Sequence, residues 1–246
     1  MFKYRYKLKI AFLMGTTKDK KGAMLVNQES LKYGDIVQGD FLDTYRNLTN
    51  KGVMGFRWVT KYCPHAQMVL KIDDDIFVNI FKIIGYYFPM YKRRKNLIMC
   101  NTVFPGHVQR RHSRWTVQSD DFRGRKFYPR YCSGFAVLMG TDTIRAFYQA
   151  AHITPMFWVD DVYLFGLLPN MAKITHRVLN RNVSLFTEQC EKSYKTEDPY
   201  LVACTASQTT QFMFYWKRSL KTLRSPIRQM VNDDVIAKAL ASGDGM

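Results

Sequence analysis

The amino-acid sequence predicts an α/β fold with a central, mostly parallel sheet flanked by helices. Short apolar runs of strand length alternate with segments of helical spacing through the first half of the chain. The chain has 246 residues, of which 47% are hydrophobic, so it is long enough to bury a substantial core. Because strands that alternate with helices usually pair in parallel through crossover connections, this pattern favours a sheet covered by helices.

Gly and Pro residues separate several of the predicted elements. Gly15 follows the first apolar run, and Gly34 follows the first helical segment, where glycine is a common C-terminal signal. Pro64 ends the second helix, because proline disfavours a helical residue before it. In chain order the predicted elements are strand 9–14, helix 23–33, strand 35–39, helix 44–62, strand 68–72, helix 79–91, strand 97–103, strand 135–139 and helix 142–151.

The chain is strongly basic. It has 37 Lys and Arg residues against 20 Asp and Glu, a net charge of +17. Such an excess favours an anionic partner, namely nucleic acid, an anionic membrane surface or a phosphorylated ligand, and it is equally compatible with a solvated basic surface. The sequence has no zinc-finger spacing, RNA-binding signature or heptad run, so we expect no nucleic-acid partner.

No apolar run reaches the roughly 18–20 residues that cross a bilayer. The basic residues near the start lead into an apolar run that is too short for a secretory signal. We therefore expect either a soluble chain or a membrane anchor that lies outside this sequence.

The cysteines are expected to form disulfides only if the protein lies in an oxidising compartment. They lack any CxxC pair, which argues against structural zinc. Two disulfides and one free thiol would form in an oxidising compartment, whereas the cytosol would keep five buried thiols. Glycosylation sequons at Asn47 and Asn182 favour secretion slightly. The five cysteines are Cys63, Cys100, Cys132, Cys190 and Cys204.

Three adjacent aspartates, Asp73, Asp74 and Asp75, come directly after the predicted strand 68–72. Their carboxylates repel one another unless solvent or a cation compensates, and hard oxygen ligands of this kind suit Mg²⁺ or Mn²⁺. In α/β sheets, ligands bind beyond the carboxyl ends of strands, which is where this triplet falls. The alternative is a solvated acidic turn that caps the helix beginning near Asn79.

A second acidic pair, Asp160-Asp161, lies between Trp158-Val159 and Val162-Tyr163. These apolar and aromatic flanks predict partial burial, which raises the pKa of a carboxyl group and makes it a better base. The alternative is that the pair caps a helix starting near Val162, where carboxylates are favoured in any case.

Four blocks of the sequence, in the correct order, resemble those of the β-1,3-galactosyltransferase and β-1,3-N-acetylglucosaminyltransferase family. Together they cover roughly residues 9–170. The blocks are YGDIV with DFLDTY, NLT and Lys51 (33–51), CPH with LKIDDDIFVN (63–79), YPRYCSG (128–134) and DDVY with Gly166 (160–166).

This resemblance implies a GT-A-type, Rossmann-like sandwich that binds a UDP-sugar and Mn²⁺ and inverts the anomeric centre. It assigns Asp75, with Asp73, to the metal. It also assigns Asp73 and Asp74 to ribose or sugar hydroxyls or to waters around the metal. The metal would neutralise the diphosphate as UDP leaves.

The resemblance also supplies the base and the rest of the donor site. An inverting displacement needs a carboxylate to take the proton of the acceptor hydroxyl, and Asp161 matches the aspartate of the family motif. Asp160 stands beside it where glutamate is more usual. The remaining assignments to donor and sugar binding are Lys51, Tyr131, Ser133 and Gly134. Trp115 resembles a position near the donor or acceptor, with a buried core tryptophan as the alternative.

The chain departs from the family pattern at three places. The arginine-rich helix before the first strand is missing, as are the anchor and stem. Leu167 and Leu168 stand where a cysteine is common. A late metal-binding histidine is absent, with Thr205 near its position, so water or Thr205 would complete the shell; the nearest preceding histidine, His176, is more typical of surface or core.

The leading hypothesis is a single catalytic domain, residues 1–246, with a donor-binding part at 9–105, an acceptor- and base-bearing part at 106–215 and a tail at 216–246. It transfers galactose from UDP-galactose to the 3-hydroxyl of a glycan on protein or lipid. The alternatives are transfer of N-acetylglucosamine and a silent module that binds UDP or glycan. The resemblance implies the Golgi lumen and a type II membrane protein.

Overall fold

The structure, a computed structural model, describes residues 7–91, 94–179, 183–184, 186–196 and 201–221. Its strands are β1 (Phe12–Thr16), β2 (Ile36–Leu42), β3 (Met68–Ile72), β4 (Ile76–Val78), β5 (Ile98–Val103), β6 (Gly106–His107), β7 (Phe127–Tyr128), β8 (Tyr131–Gly140), β9 (His176–Val178), β10 (Val183–Ser184) and β11 (Ala203–Thr205).

Seven helices accompany these strands in the part of the chain that the structure describes. Two of them, α3 and α5, contain a π-helical turn in the middle. The helices are α1 (Lys20–Tyr33), α2 (Leu48–Tyr62), α3 (Ile80–Lys82, Ile83–Tyr87 and Phe88–Tyr91), α4 (Thr141–Ala151), α5 (Asp160–Val162, Tyr163–Leu167 and Leu168–Met171), α6 (Thr187–Lys195) and α7 (Thr209–Lys221).

The chain divides into two compact units that interleave along the sequence. Among the described residues, the larger unit contains 7–73, 90–91 and 94–179, and the smaller unit contains 74–89, 183–184, 186–196 and 201–221. The boundary between them falls inside the aspartate triplet, between Asp73 and Asp74. The expected donor-binding and acceptor-bearing parts run consecutively along the chain, so they do not coincide with these units.

A four-stranded sheet of order β3-β8-β5-β9 forms the centre of the larger unit. Strands β5 and β9 pair in parallel, but β8 is antiparallel to both β3 and β5. The expected α/β class is confirmed, and three of the four strands share a direction. The expectation of mostly parallel pairing is wrong at β8, because no crossover helix separates β5 from β8 and the chain returns antiparallel.

Helices α2, α4 and α5 of the larger unit pack against a continuous apolar core. Strands β1 and β2, which α1 connects, pair in parallel, with Phe12 opposite Ile36. Helices α2 and α4 contact each other through Phe56 and Phe147, whose ring centroids are 5.9 Å apart. The central strand β8 supplies fully buried residues such as Val137. These contacts hold β8 and the helices that surround it in fixed positions.

Helix α1 shows how local chemistry sets the ends of an element. Gly34 has φ of 65°, the left-handed conformation predicted for this position, and its N–H donates to the carbonyl of Ser30. The helix starts three residues earlier than predicted, because the Asp19 carboxylate accepts from the N–H groups of Lys21 and Gly22 and caps the first turn.

The smaller unit has a three-stranded sheet of order β10-β11-β4 and its own apolar cluster around Phe77, Tyr194 and Tyr215. A disulfide between Cys190 and Cys204 joins α6 to β11. The expected tail from residue 216 begins inside α7, whose Tyr215 and Ser219 are buried. Residues 222–246, which include the aspartates 233 and 234, lie outside the described residues.

None of the described helices combines the length and the apolar character required to span a membrane.

Candidate active site

The acidic pair Asp160-Asp161 forms the first turn of α5. Carboxylates are favourable there because the helix N-terminus carries partial positive charge. The segment before the pair is held from α2, where the buried Thr49 hydroxyl donates to the carbonyl of Phe157 at 2.9 Å. The pair therefore lies at the start of a helix, as the alternative interpretation expected. Any further role depends on the groups that surround the two carboxylates.

Asp161 fits against the backbone of β8. The Gly134 N–H donates to the Asp161 carboxylate. A β-carbon built at Gly134 would collide with Asp161 Oδ1 and would stand 3.4 Å from Lys71 Nζ. Position 134 therefore accommodates only glycine while Asp161 keeps this conformation.

Lys71 connects the two acidic motifs within the larger unit. Its ammonium donates to the Gly134 carbonyl at 2.6 Å and forms a close ion pair with Asp73. It also lowers the pKa values of Asp160 and Asp161 electrostatically. The sequence analysis missed Lys71, although a lone charge in the apolar run MVLKI, two residues before the aspartates, was the available signal.

The pKa values of both members of the acidic pair are raised above the ordinary value for aspartate. Burial, followed by repulsion from Asp160, raises the pKa of Asp161 to about 7, against the opposing effects of Lys71 and of the Gly134 hydrogen bond. Burial also raises the pKa of Asp160, opposed mainly by Lys71. A carboxyl group with a pKa near neutrality can accept a proton from a hydroxyl at neutral pH far better than an ordinary aspartate.

Tyr131 and Ser133 lie on β8, on either side of Cys132, and both are half-buried. Burial, followed by the charge of Asp161, raises the pKa of Tyr131 to about 12, so its hydroxyl stays protonated. A β-carbon at Gly166 would come within 2.8 Å of Tyr131 Cβ, so this glycine lets α5 approach β8 closely. The structure thus brings Tyr131, Gly134 and the acidic pair together.

The aspartate triplet divides between the two units. In the larger unit, the Asp73 N–H donates to the Phe135 carbonyl at 3.1 Å and extends the pairing of β3 with β8. In the smaller unit, the side chains of Asp74 and Asp75 are exposed and contact no described hydrogen-bonding or charged partner. The turn is therefore solvated, as the alternative interpretation expected, and its last two carboxylates are uncommitted. It does not cap a helix, because β4 follows it and the Asn79 side chain caps α3.

Thr205 lies close to Asp75 within the smaller unit. It pairs with Ile76 in the antiparallel register of β11 and β4, and the Ala206 N–H donates to the Asp75 carbonyl at 2.7 Å. His176 lies in the larger unit, where Nε2 is 2.6 Å from the Phe165 carbonyl and burial lowers its pKa.

The donor atoms of the triplet fit a hard divalent cation only in part. Among the described residues, no group of three or more His, Cys, Asp or Glu side chains could hold a metal ion. Asp73 is already bound by Lys71, whereas Asp75 is uncommitted. The chemistry therefore fits a cation that takes one or two carboxylates from the protein and its remaining ligands from diphosphate and water, as Mg²⁺ and Mn²⁺ do.

Lys51 lies near the carboxyl end of β1. It forms a 2.7 Å ion pair with Asp43, which also accepts from the Gly15 N–H at 2.8 Å. Burial raises the pKa of Asp43, but the Gly15 hydrogen bond and Lys51 outweigh it, and the net pKa lies below the usual range. The sequence analysis named Lys51 for donor binding and did not single out Asp43.

The cysteines match the expectation for an oxidising compartment. Cys100 and Cys132 form one disulfide and Cys190 and Cys204 another, while Cys63 is unpaired, with burial raising the pKa of its thiol.

The side chains of the Asn47 sequon make contacts within the protein. The amide nitrogen of Asn47 donates to the Leu42 carbonyl at 2.8 Å, and Thr49, the third residue of the sequon, is buried. This site therefore adds no support for secretion. Asn182 lies outside the described residues.

Within the larger unit, the partly buried acidic pair thus lies against the glycine-containing strand β8 of an α/β protein. The sequence model of the galactosyltransferase family matches residues 2–180, and the chain belongs to this family.

Curated relatives support this membership. The human UDP-GalNAc:beta-1,3-N-acetylgalactosaminyltransferase 1 is 36% identical over 177 residues, which is 69% of this chain and 51% of the relative. The beta-1,3-galactosyltransferase 5 of Pan troglodytes is 30% identical over 214 residues, which is 85% of this chain and 70% of the relative. The chain thus spans about half the length of the N-acetylgalactosaminyltransferases that it matches.

The likeness to solved structures is weak. A glycosyltransferase involved in the glycosylation of the major capsid of PBCV-1 aligns over 87% of this chain and 100% of its own, with a TM-score of 0.37 and 12% identity.

Proposed function

We propose that this protein is an inverting, UDP-sugar-dependent hexosyltransferase that moves galactose from UDP-galactose to the 3-hydroxyl of a glycan on protein or lipid. The observation that carries the proposal is the position of Asp161, a carboxyl group held on the backbone of β8 with a pKa of about 7. Membership of the galactosyltransferase family supplies the class of reaction.

Asp161 acts as the general base. Its ionised carboxylate takes the proton of the acceptor hydroxyl while that oxygen bonds to the anomeric carbon and the bond from this carbon to UDP breaks on the opposite face. Asp160 raises the pKa of Asp161 by repulsion, and Lys71 limits the rise so that a useful fraction is ionised at neutral pH. The Gly134 N–H orients the carboxylate.

Asp75, assisted by Asp73 or Asp74, would hold a divalent cation, which the family resemblance gives as Mn²⁺. Bound there, the cation would supply positive charge to the diphosphate of the donor. Because Lys71 occupies Asp73, Asp75 is the stronger candidate ligand, and Asp73 and Asp74 are better suited to hydroxyls of the donor. Lys51, Tyr131 and Ser133 stay candidates for donor binding.

UDP-N-acetylgalactosamine is a second candidate donor. The relative with 36% identity is named for this sugar, and the relative with 30% identity is named for galactose. The two alignments therefore favour different donors. The shorter alignment, with higher identity, favours N-acetylgalactosamine, and the longer alignment, with lower identity, favours galactose. N-acetylglucosamine transfer and a silent UDP-binding module are the further alternatives.

We propose that the protein acts in the Golgi lumen as part of a type II membrane protein, as the family resemblance implies. The two disulfides support an oxidising compartment. The partners would be a UDP-sugar and a glycoprotein or glycolipid acceptor.

The test is UDP release from UDP-galactose, UDP-N-acetylgalactosamine and UDP-N-acetylglucosamine with a panel of β-linked sugar acceptors, with Mn²⁺ or with chelator. Asp161→Asn and Asp75→Ala are compared with Asp120→Asn, which removes an exposed carboxylate outside the site. Metal-dependent turnover that Asp161→Asn and Asp75→Ala abolish and Asp120→Asn retains supports the proposal. Metal-dependent UDP binding without turnover for any donor would favour the silent module.

A further inference from the structure

Three aromatic and two arginine side chains form a surface feature of the larger unit, here called the aromatic–arginine platform. Tyr45 and Trp115 each expose 42% of their surface, so Trp115 is not a core residue, which excludes the alternative left open by the sequence. Arg46 and Arg114 are also exposed, and Trp158 is half-buried. An exposed cluster of this size needs a reason beyond core packing.

The platform is ordered by specific contacts. The Trp115 indole N–H donates to the Tyr45 hydroxyl at 2.6 Å. The Arg114 guanidinium carbon lies 4.5 Å from the Trp115 ring centroid and 5.3 Å from that of Tyr45. The Arg46 guanidinium carbon lies 3.5 Å from the Trp158 ring centroid. Both arginines are therefore held against aromatic faces rather than extended into solvent.

The loop that carries Trp115 is fixed at its base by Arg110. This guanidinium donates to the backbone carbonyls of Gln118, Asp121 and Phe122, the latter two at 2.7 and 3.2 Å. A loop held at three carbonyls presents Arg114 and Trp115 in one arrangement. Preorganisation of this kind lowers the entropy that a ligand must overcome.

Neither platform arginine has an anionic partner. Arg46 and Arg114 form no ion pair and no hydrogen bond with any described residue. A guanidinium that stacks on an aromatic ring keeps its N–H donors in the plane of the group, where they suit bidentate binding of a carboxylate or sulfate. The exposed ring surfaces of Tyr45 and Trp115 offer an apolar face for the C–H groups of a sugar.

The platform lies beside the general base. Trp158 precedes Asp161 by three residues, so their α-carbons are at most about 11 Å apart even in an extended chain. Tyr45 and Arg46 lie in the turn that leads into α2, whose Thr49 holds the carbonyl of Phe157. A sugar bound on the platform could therefore present a hydroxyl to Asp161.

We propose that the aromatic–arginine platform is the acceptor subsite and that it selects a β-linked sugar bearing a carboxylate or a sulfate. This inference rests on the proposed transferase function and adds the substrate class. Arg46 and Arg114 bind the acidic group, and Tyr45 and Trp115 contact the sugar ring. The competing use of the same arginines, binding of the donor diphosphate, is an outcome that the test separates.

The experiment compares matched acceptors that differ only in the acidic group. Methyl β-glucuronide is paired with methyl β-glucoside, and 6-sulfated methyl β-galactoside with methyl β-galactoside, so that the two arms distinguish a carboxylate from a sulfate. UDP release gives kcat/KM for each acceptor and KM for the donor. The variants are Arg46→Met, Arg114→Met and both together, with the exposed Arg145→Met of α4 as the matched control.

The wild-type protein is expected to prefer one acidic acceptor over its neutral partner by about tenfold or more, as charge-assisted hydrogen bonds allow. The platform variants should lose that preference while the donor KM stays within about twofold, and Arg145→Met should retain both the preference and the wild-type rate. Equal use of acidic and neutral acceptors, or a rise in donor KM in the platform variants, would overturn the proposal.

A binding measurement separates this inference from the transferase proposal. NMR titration of the four methyl glycosides into the UDP- and Mn²⁺-loaded protein reports affinity without turnover. If turnover fails with every acceptor but Arg46- and Arg114-dependent preference for an acidic glycoside persists, the subsite is supported and the transferase is not. If binding shows no acid preference, the subsite inference is wrong whatever the turnover.

Discussion

The carboxylate of Asp161 occupies the space that a β-carbon at Gly134 would need, and it accepts a hydrogen bond from the backbone N–H of the same glycine. One position on β8 thus provides both the room and the donor for the proposed base. Two motifs that are separated along the sequence, YCSG and DDVY, therefore meet at this position.

Gly134→Ala should displace Asp161 and disable the enzyme. The added methyl group collides with Oδ1, so we expect a loss of about 1–3 kcal/mol of stability and a fall of at least about a hundredfold in kcat. Thermal unfolding and UDP release measure the two effects. In the double variant with Asp161→Ala, which removes the colliding carboxylate, the stability cost of the added methyl should largely disappear; a cost that persists would contradict the geometry.

Asp161→Asn should be inactive yet more stable at alkaline pH. The folded-state pKa of Asp161, about 7, lies above its ordinary value of 3.8. The stability contributed by this group is therefore complete below about pH 4 and is lost as pH rises through 7. A shift of this size corresponds to at most about 4 kcal/mol, and we expect about 1–2 kcal/mol because the group keeps some contact with solvent.

Denaturant unfolding at pH 8 and pH 4 checks the prediction for Asp161→Asn. The variant should exceed the wild type at pH 8, and the two should converge at pH 4. Lower stability of the variant at pH 8 would show that the ionised carboxylate is a net stabilising group.

The pH–rate profile should report the acidic pair, and Lys71 should control its position. Because the base must be ionised, kcat/KM should rise with pH and level off above a midpoint near 7. Lys71→Met removes the cation that lowers the pKa of Asp161, so the rising limb should move to higher pH. Lys61→Met, which removes an exposed lysine of α2, is the matched control and should leave the midpoint unchanged.

The Asp43–Lys51 ion pair should stabilise the fold at neutral pH only. The folded-state pKa of Asp43 is lowered, so its contribution is present above the ordinary pKa and is lost as pH falls through the folded-state value. Both side chains are partly exposed, so Lys51→Met should cost about 0.5–1 kcal/mol at pH 7 and little at pH 2.5. Unfolding of Lys51→Met and of the exposed-lysine control Lys18→Met measures this difference. An unchanged donor KM in Lys51→Met would remove Lys51 from the donor site.

Local chemistry made much of the fold predictable. The apolar run at β3 was predicted with its observed bounds, and Gly34 was identified as the end of α1 because its conformation depends on nearby atoms alone. The proximity of the Asp160-Asp161 pair to Gly134 was not predicted, because the family resemblance assigned Gly134 to the donor site and Asp161 to the base without relating the two. Partial burial of the pair, in contrast, was readable from its flanks.

Long-range pairing explains what the sequence did not reveal. The antiparallel insertion of β8 between β3 and β5 depends on which strands meet, and periodicity carries no information about partners. Lys71 acquires its role only when β8 brings Gly134 alongside β3. The contacts of Arg46 and Arg114 with aromatic rings join three segments that are separated along the sequence. Composition therefore predicted a basic surface, but it could not predict how the arginines and rings are arranged on it.

The Cys100–Cys132 bridge joins β5 to β8 two residues before Gly134. The disulfide therefore restrains β8, the strand that carries Gly134, against which the proposed base Asp161 lies. A cross-link over this sequence separation is typically worth about 3–4 kcal/mol. Production of the protein in a host with a reducing cytoplasm would yield chains without this disulfide. A negative activity result is therefore informative only for protein in which this disulfide has formed. Thiol titration should accompany every preparation that is assayed.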